Sequence, residues 1–183
     1  MIGRLTAGYV LVGGRSSRMG RDKAMLPFRG ATLAQWIAKQ VAEAAGSVTL
    51  VGNPSMGIAD LYPSEGPVGG ILTALAHSDA DWNLIVACDM PQADAPFLRR
   101  LLDAARERDA DALLPRGPSG MLEPLCAVYH RRVRQVMAAR FAEGERKVTA
   151  CLAGVAVAEL EVAEVAQFQN VNTPEDWALH GGK

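Results

Sequence analysis

Cysteine is scarce in this chain, and what little there is carries no framework. Cys88, Cys126 and Cys151 are odd in number, far apart and without a CxxC pair. That spacing excludes a disulfide scaffold and a zinc knuckle and fits a reducing cytoplasm. Long apolar runs are missing too: none approaches the roughly 20 residues of a membrane-spanning helix. The first residues, Met1 to Thr6, lack the apolar core and cleavage site of a signal peptide, so a soluble, unprocessed protein with no membrane partner is expected. Net charge is only −1, which leaves no broad basic surface for nucleic acid; any basic patch is local. His77, His130 and His180 share no metal-ligand spacing and read as surface residues. No Ser-His-Asp or Cys-His arrangement for nucleophilic catalysis stands out.

What is present suits a soluble globular protein: 49% of residues are hydrophobic and 21% charged. The 183 residues read as one domain spanning 1–183, without repeats, low-complexity segments or a dividing linker. Tyr9 to Val12 is a continuous apolar run bounded by glycines, as in a strand buried on both faces of a parallel sheet. Thr32 and Gln35 have capping-box spacing ahead of a helix whose apolar face includes Leu33, Trp36, Ile37 and Val41, and Gly46 stops it. Ser47–Val51 reads as a second strand, with a short strand at Ile58 and Ala59.

Beyond it, GPVGG at 66–70 feeds a helix to His77, and Trp82–Ala87 forms another apolar strand, stopped at Cys88, Asp89, Met90 and Pro91. Pro96 suits the first turn of a helix through Ala105. Strands at 112–114, 124–129 and 155–160 and helices at 131–141, 148–153 and 173–179 complete the pattern. Alternating strands and helices with continuous apolar strands imply an α/β fold, a mostly parallel central sheet covered by helices on both faces.

The loop after the first strand, GGRSSRMGRDK, reads as a phosphate cradle, because paired glycines let backbone amides face a phosphate with no side chain between. It is not a Walker A loop: five residues separate Gly14 from Gly20, and Arg21 follows. GxGxxG is absent as well. Pro27 and Gly30 disfavour a helix directly after Lys23, so the cradle is expected to be an extended loop.

LVGGRSSRMGRDKAML resembles the signature LAGGxSxRMGxDKxxL of the molybdenum cofactor guanylyltransferases, the MobA family. DLYPSEGPVGGILTAL, CDMP, EPLCAVY, GERKV and NVNTPED each resemble a further block, in the family's order, so the likeness covers nearly the whole chain. The resemblance implies a three-layer Rossmann-like, glycosyltransferase-A-like fold and transfer of GMP from GTP to molybdopterin with release of pyrophosphate. It also implies magnesium (Mg2+) as cofactor and GTP and molybdopterin as partners, with other molybdenum cofactor biosynthesis or acceptor proteins beside them. The substrate's own phosphate would be the nucleophile, so positioning and charge neutralisation would carry catalysis.

Carried onto this sequence, the resemblance assigns Leu11, Val12, Gly13, Gly14 and Lys23 to the nucleotide, and Lys23 and Arg18 to the triphosphate and the departing pyrophosphate. Arg15 and Arg21 fall at variable positions of the signature and read as solvated. Asp89, just past a strand's carboxyl end, is the candidate magnesium ligand and a catalytic residue; its bland reading is a turn cap. Asp60 matches the aspartate before GPVGG. A carboxylate there can accept the adjacent ring N–H and amino group of guanine in bidentate fashion, a pair cytosine does not present; its bland reading is a solvated loop residue. Gly66, Gly69 and Gly70 either admit the nucleoside or only shape the turn into the helix.

Asn170 and Asn172 would orient the second substrate or the metal shell, or else simply cap the last helix beside Pro174. Arg116, Glu123 and Lys147 lie in blocks where pterin contacts are expected. One departure is Val12, where the family has a small alanine. The alternatives are a molybdopterin cytidylyltransferase, which carries LAAG in place of paired glycine, and a sugar-phosphate nucleotidyltransferase, which is usually longer. A nucleotide-binding module without turnover is a third; retention of both Lys23 and Asp89 argues against it.

Overall fold

The computed structural model describes residues 5–13, 23–163 and 168. The expected last helix therefore lies outside the described residues. The first strand is β1, Thr6–Leu11. After a single 3-10 turn at Lys23–Met25 come two short strands, β2 (Pro27–Phe28) and β3 (Ala31–Thr32), paired as an antiparallel hairpin. The chain after Lys23 is thus not simply extended: one tight turn precedes the hairpin, and Pro27 prevents its growth into a helix.

Helix α1 is Leu33–Ala45, and both halves of the capping box form at its start. Gln35 N–H donates to the Thr32 hydroxyl, while Thr32 N–H donates to the Gln35 side-chain carbonyl at 2.9 Å. Gly46 ends the helix in the left-handed conformation at φ 75°. Then follow β4 (Thr49–Val51), α2 (Pro67–His77) and β5 (Trp82–Ala87). The short strand expected near Ile58 is one parallel bridge to Val51. Helix α3, Ala95–Glu107, starts one residue before Pro96 because the Asp94 carboxylate caps it by accepting from Phe97 N–H at 2.9 Å. The remaining elements are β6 (Ala112–Arg116), β7 (Cys126–His130), α4 (Val133–Ala142), α5 (Val148–Cys151) and β8 (Val157–Glu161).

Six strands form one sheet in the order β4-β1-β5-β7-β6-β8. β1 pairs in parallel with β4 and β5, and β6 with β8; β7 alone runs antiparallel to both its neighbours. The sheet is mostly parallel, as expected. Periodicity could not reveal the reversal of β7, since a strand covered on both faces reads the same in either direction.

Successive residues of each strand feed opposite cores. Val10, Leu84, Val86 and Val128 pack with Ile37 and Val41 of α1 and Leu98, Leu101 and Leu102 of α3. On the other face Tyr9, Leu11, Ile85, Ala127 and Tyr129 meet Ile71 and Leu75 of α2, Met137 of α4 and Cys151 of α5. This is the three-layer arrangement expected from the alternation. Because α1 and α2 cover opposite faces, the chain leaves β1 for β4 on one side and reaches β5 on the other. A crevice therefore opens where β1 and β5 end, the place where open α/β sheets bind ligands.

Candidate active site

A cleft of about 750 Å³ lies at that crevice. Residues at three strand ends line it: Leu11, Val12 and Gly13 after β1, Val51 and Gly52 at β4, and Ala87, Cys88 and Asp89 at β5. Two inter-strand bonds lock these ends side by side. Val12 N–H donates to Val51 C=O at 2.9 Å, and Cys88 N–H donates to Leu11 C=O at 3.1 Å. Gly52 has φ 112° and a Cβ there would lie 2.6 Å from Gly13 Cα, so the two glycines let β1 and β4 close up beneath the cleft. Val12 is only 6% exposed and packs in the core beneath α1 and α3.

Asp89 and Lys23 both line this cleft. Burial pushes the Asp89 carboxyl above its ordinary range, while the Lys23 ammonium and a backbone N–H bond pull it back down. Glu123, in the connection leading to β7, is also raised, first by burial and then by the negative charge of Asp89. A carboxylate that is partly shielded from water and carries negative charge beside a second acidic group is costly without a cation and suits a hard divalent ion with oxygen ligands. Among the described residues no three His, Cys, Asp or Glu side chains converge, so such an ion would keep coordination positions for phosphate oxygens and water. The donor set therefore fits a divalent metal.

Asp60 lines the opposite wall with Pro63, Ser64, Gly66 and Pro67. Its Oδ1 accepts from Tyr62 N–H at 2.9 Å and from the Thr73 hydroxyl at 2.8 Å. The same wall is braced from outside: Tyr62 stacks edge-on against Phe141 of α4, and Arg146 bonds Glu65 at 2.7 Å while lying over the Phe141 ring. Gly70 sits against Leu11, where a Cβ would be 3.3 Å from the leucine Cδ2.

Of the residues singled out from the sequence, Leu11, Val12, Gly13, Lys23, Asp60 and Asp89 line this one cleft. Gly14, Arg18, Asn170 and Asn172, with Arg15, Arg21 and His180, lie outside the described residues. Gly66 and Gly70 line the cleft, whereas Gly69 packs under Tyr62. Arg116 is ion-paired with Glu159, and Lys147 stands exposed at the start of α5. Sequence reasoning passed over the structural parts of Gly52 and Thr73 and the electrostatic influence of Asp89 on Glu123. The glycine after an apolar strand was a signal for the first; nothing local marked the other two.

Comparisons with known proteins agree with this geometry. Residues 8–160 match the MobA-like NTP transferase domain. A protein of Xanthomonas euvesicatoria named molybdenum cofactor guanylyltransferase is 35% identical, over 93% of this chain and 92% of its own. The crystal structure of molybdopterin-guanine dinucleotide biosynthesis protein A from Archaeoglobus fulgidus superposes with a TM-score of 0.81 at 26% identity, covering 94% of this chain and 95% of its own. A Mycobacterium tuberculosis protein solved as a manganese complex shares the fold at a TM-score of 0.68 and 20% identity, covering 96% of this chain and 97% of its own. With Lys23, Asp60 and Asp89 gathered in one cleft and the family model matched over residues 8–160, the chain belongs to the MobA-like NTP transferase family.

Proposed function

We propose that this protein transfers GMP from GTP to molybdopterin, forming molybdopterin guanine dinucleotide and pyrophosphate. One observation carries the chemistry: Lys23 and the shielded Asp89 line one cleft with the closely packed Gly13 and Gly52. A terminal phosphate oxygen of the pterin attacks the α-phosphorus, the bond to the bridging β-phosphate oxygen breaks, and the electron pair leaves with pyrophosphate. No protein nucleophile is needed, so the residues act by positioning and by charge.

Gly13 and Gly14 admit the phosphates to the floor, and Leu11 and Val12 carry it. Lys23, with Arg18, neutralises charge that builds on the departing pyrophosphate. Asp89 would hold Mg2+, with Glu123 as a second carboxylate, and the ion, when bound, would supply charge neutralisation for the triphosphate and the leaving group. The manganese complex of the Mycobacterium relative supports a divalent ion in this fold. Asp60, on the opposite wall, accepts from the hydrogen-bonding edge of guanine. Asn170 and Asn172 orient the pterin or the metal shell. No helix among the described residues is long and apolar enough to cross a membrane, and Cys88, Cys126 and Cys151 are free thiols, buried in the fold, which suits a cytoplasmic reaction.

Pyrophosphate release measured with each of the four nucleoside triphosphates, with and without molybdopterin, tests both class and base. Release is expected with GTP and molybdopterin together. A preference for CTP, or release that ignores the pterin, would sink the proposal.

A further inference from the structure

We infer that Thr73 is a positioning residue for base selection, fixing Asp60 so that one carboxylate oxygen alone is offered to the nucleobase. The inference rests on the reading of Asp60 as the group that meets guanine. Asp60 sits on a loop, outside any helix or strand, and a loop carboxylate left to itself would sample several orientations. Thr73 is different. It lies within α2 and is 2% exposed, on a helix packed against the sheet.

The Thr73 hydroxyl is a hub. It accepts from Leu61 N–H at 3.0 Å, and its oxygen lies 2.8 Å from Asp60 Oδ1 and 2.9 Å from the Gly69 carbonyl oxygen, two acceptors for its single proton. A carboxylate is the stronger acceptor of the two, so the proton goes to Asp60. Tyr62 N–H supplies the second donor to the same oxygen. Both hydrogen bonds that Asp60 accepts among the described residues therefore fall on Oδ1, whose two lone pairs are used up.

What remains for a ligand is Oδ2. A bidentate grip on guanine, one donor per oxygen, would press a third donor onto Oδ1. The arrangement favours guanine's ring N–H and amino group sharing Oδ2, in an orientation that α2 imposes through Thr73. Fixing the carboxylate before the nucleotide arrives removes the ordering cost from binding. The residue never touches the phosphates, so its effect belongs in nucleotide affinity and base choice and not in the chemical step.

The experiment compares wild type with Thr73→Val and Thr73→Ser, measuring KM and kcat for GTP and for ITP, which lacks only the amino group. Thr73→Val removes the donor at nearly constant volume. It is expected to raise KM for GTP about tenfold, the scale of one hydrogen bond, and to lower the GTP-over-ITP preference by a similar factor. Its kcat should stay within about twofold. Thr73→Ser, which restores the hydroxyl, should keep both preference and KM near wild type. If Thr73→Val does not fold, Thr73→Cys, which fills the space with only a weak donor, is read by the same ratios.

A folded valine or cysteine variant that keeps the wild-type GTP-over-ITP preference overturns the inference, even if it melts earlier, because a structural role alone lowers stability without moving base choice. The wild-type comparison of GTP with CTP stands apart: a preference for CTP would sink the guanylyl reading, and the inference with it.

Discussion

Gly13 and Gly52 meet backbone to backbone at the floor of the cleft, where β1 and β4 end. A Cβ on Gly52 would lie 2.6 Å from both Cα and N of Gly13, and Gly52 has φ 112°; a Cβ on Gly13 would lie 3.1 Å from Gly52 Cα. Gly52→Ala thus meets two obstacles, a backbone conformation closed to L side chains and a clash with backbone that cannot swing away. It is expected to lower stability by about 2–4 kcal/mol in urea denaturation, combining conformational strain with overpacking. Gly13→Ala should cost less than half of that. Equal losses for the two would mean that strain at Gly52 is negligible.

Asp89→Asn is expected to cut turnover by about two to three orders of magnitude, the scale of one lost transition-state stabiliser. The free protein should respond in the opposite sense. Burial raises the folded carboxyl of Asp89, so its contribution to stability is fully present below the ordinary aspartate range and is lost as pH rises through the folded value. The asparagine variant should therefore melt no lower than wild type at pH 7 to 8 without ligand, its relative advantage shrinking as pH falls. With magnesium and GTP the order should reverse, since only wild type gains from binding. Calorimetric scans with and without ligand check both halves. Loss of stability in the ligand-free variant at pH 8 would show that the Lys23 contact outweighs burial.

Asp111 offers the contrary pH signature, far from the cleft. Its carboxyl is held below the ordinary range, first by the backbone N–H of Ala156 at 2.7 Å and then by Arg132. Such a group adds stability above the unfolded aspartate value of about 3.9 and loses it as pH falls through the folded value. Asp111→Ala should lower Tm by about 2–4 °C at pH 7, as expected for one hydrogen bond in a chain of this size. The gap from wild type should narrow below about pH 4. A gap that is constant from pH 7 to pH 3 would assign the loss to packing.

Much of the fold was legible because its signals are local. The Thr32–Gln35 capping box, Gly46 as a stop and the apolar runs of β1 and β5 each appear where the residues put them. The direction of β7 was not legible, since Cys126, Ala127 and Val128 are buried whichever way the strand runs. The Lys23–Met25 turn was missed because three residues are too few for a periodicity. In the site, motif spacing marked Lys23, Asp60 and Asp89, which the fold brings into one cleft. Thr73 was hidden: within α2 it looks like another core position, and its role depends on a loop 13 residues away in sequence. Glu123 was marked by its block, but the influence of Asp89 on it was hidden for a similar reason, the two being separated by all of α3 and β6.

The reversal of β7 has a consequence for how this architecture could diversify. Because β7 runs against β5, the segment entering it, with Glu123 and Leu125, reaches the same rim as the segment leaving β5. That entering segment is joined to the end of β6 by residues 117–122, whose Met121 is 66% exposed. Insertions in this short bridge would reshape the rim beside Leu125, while the strand ends bearing Gly13, Gly52 and Asp89 kept their alignment. One scaffold could in this way retain its nucleotide grip and trade the molecule that receives the nucleotide.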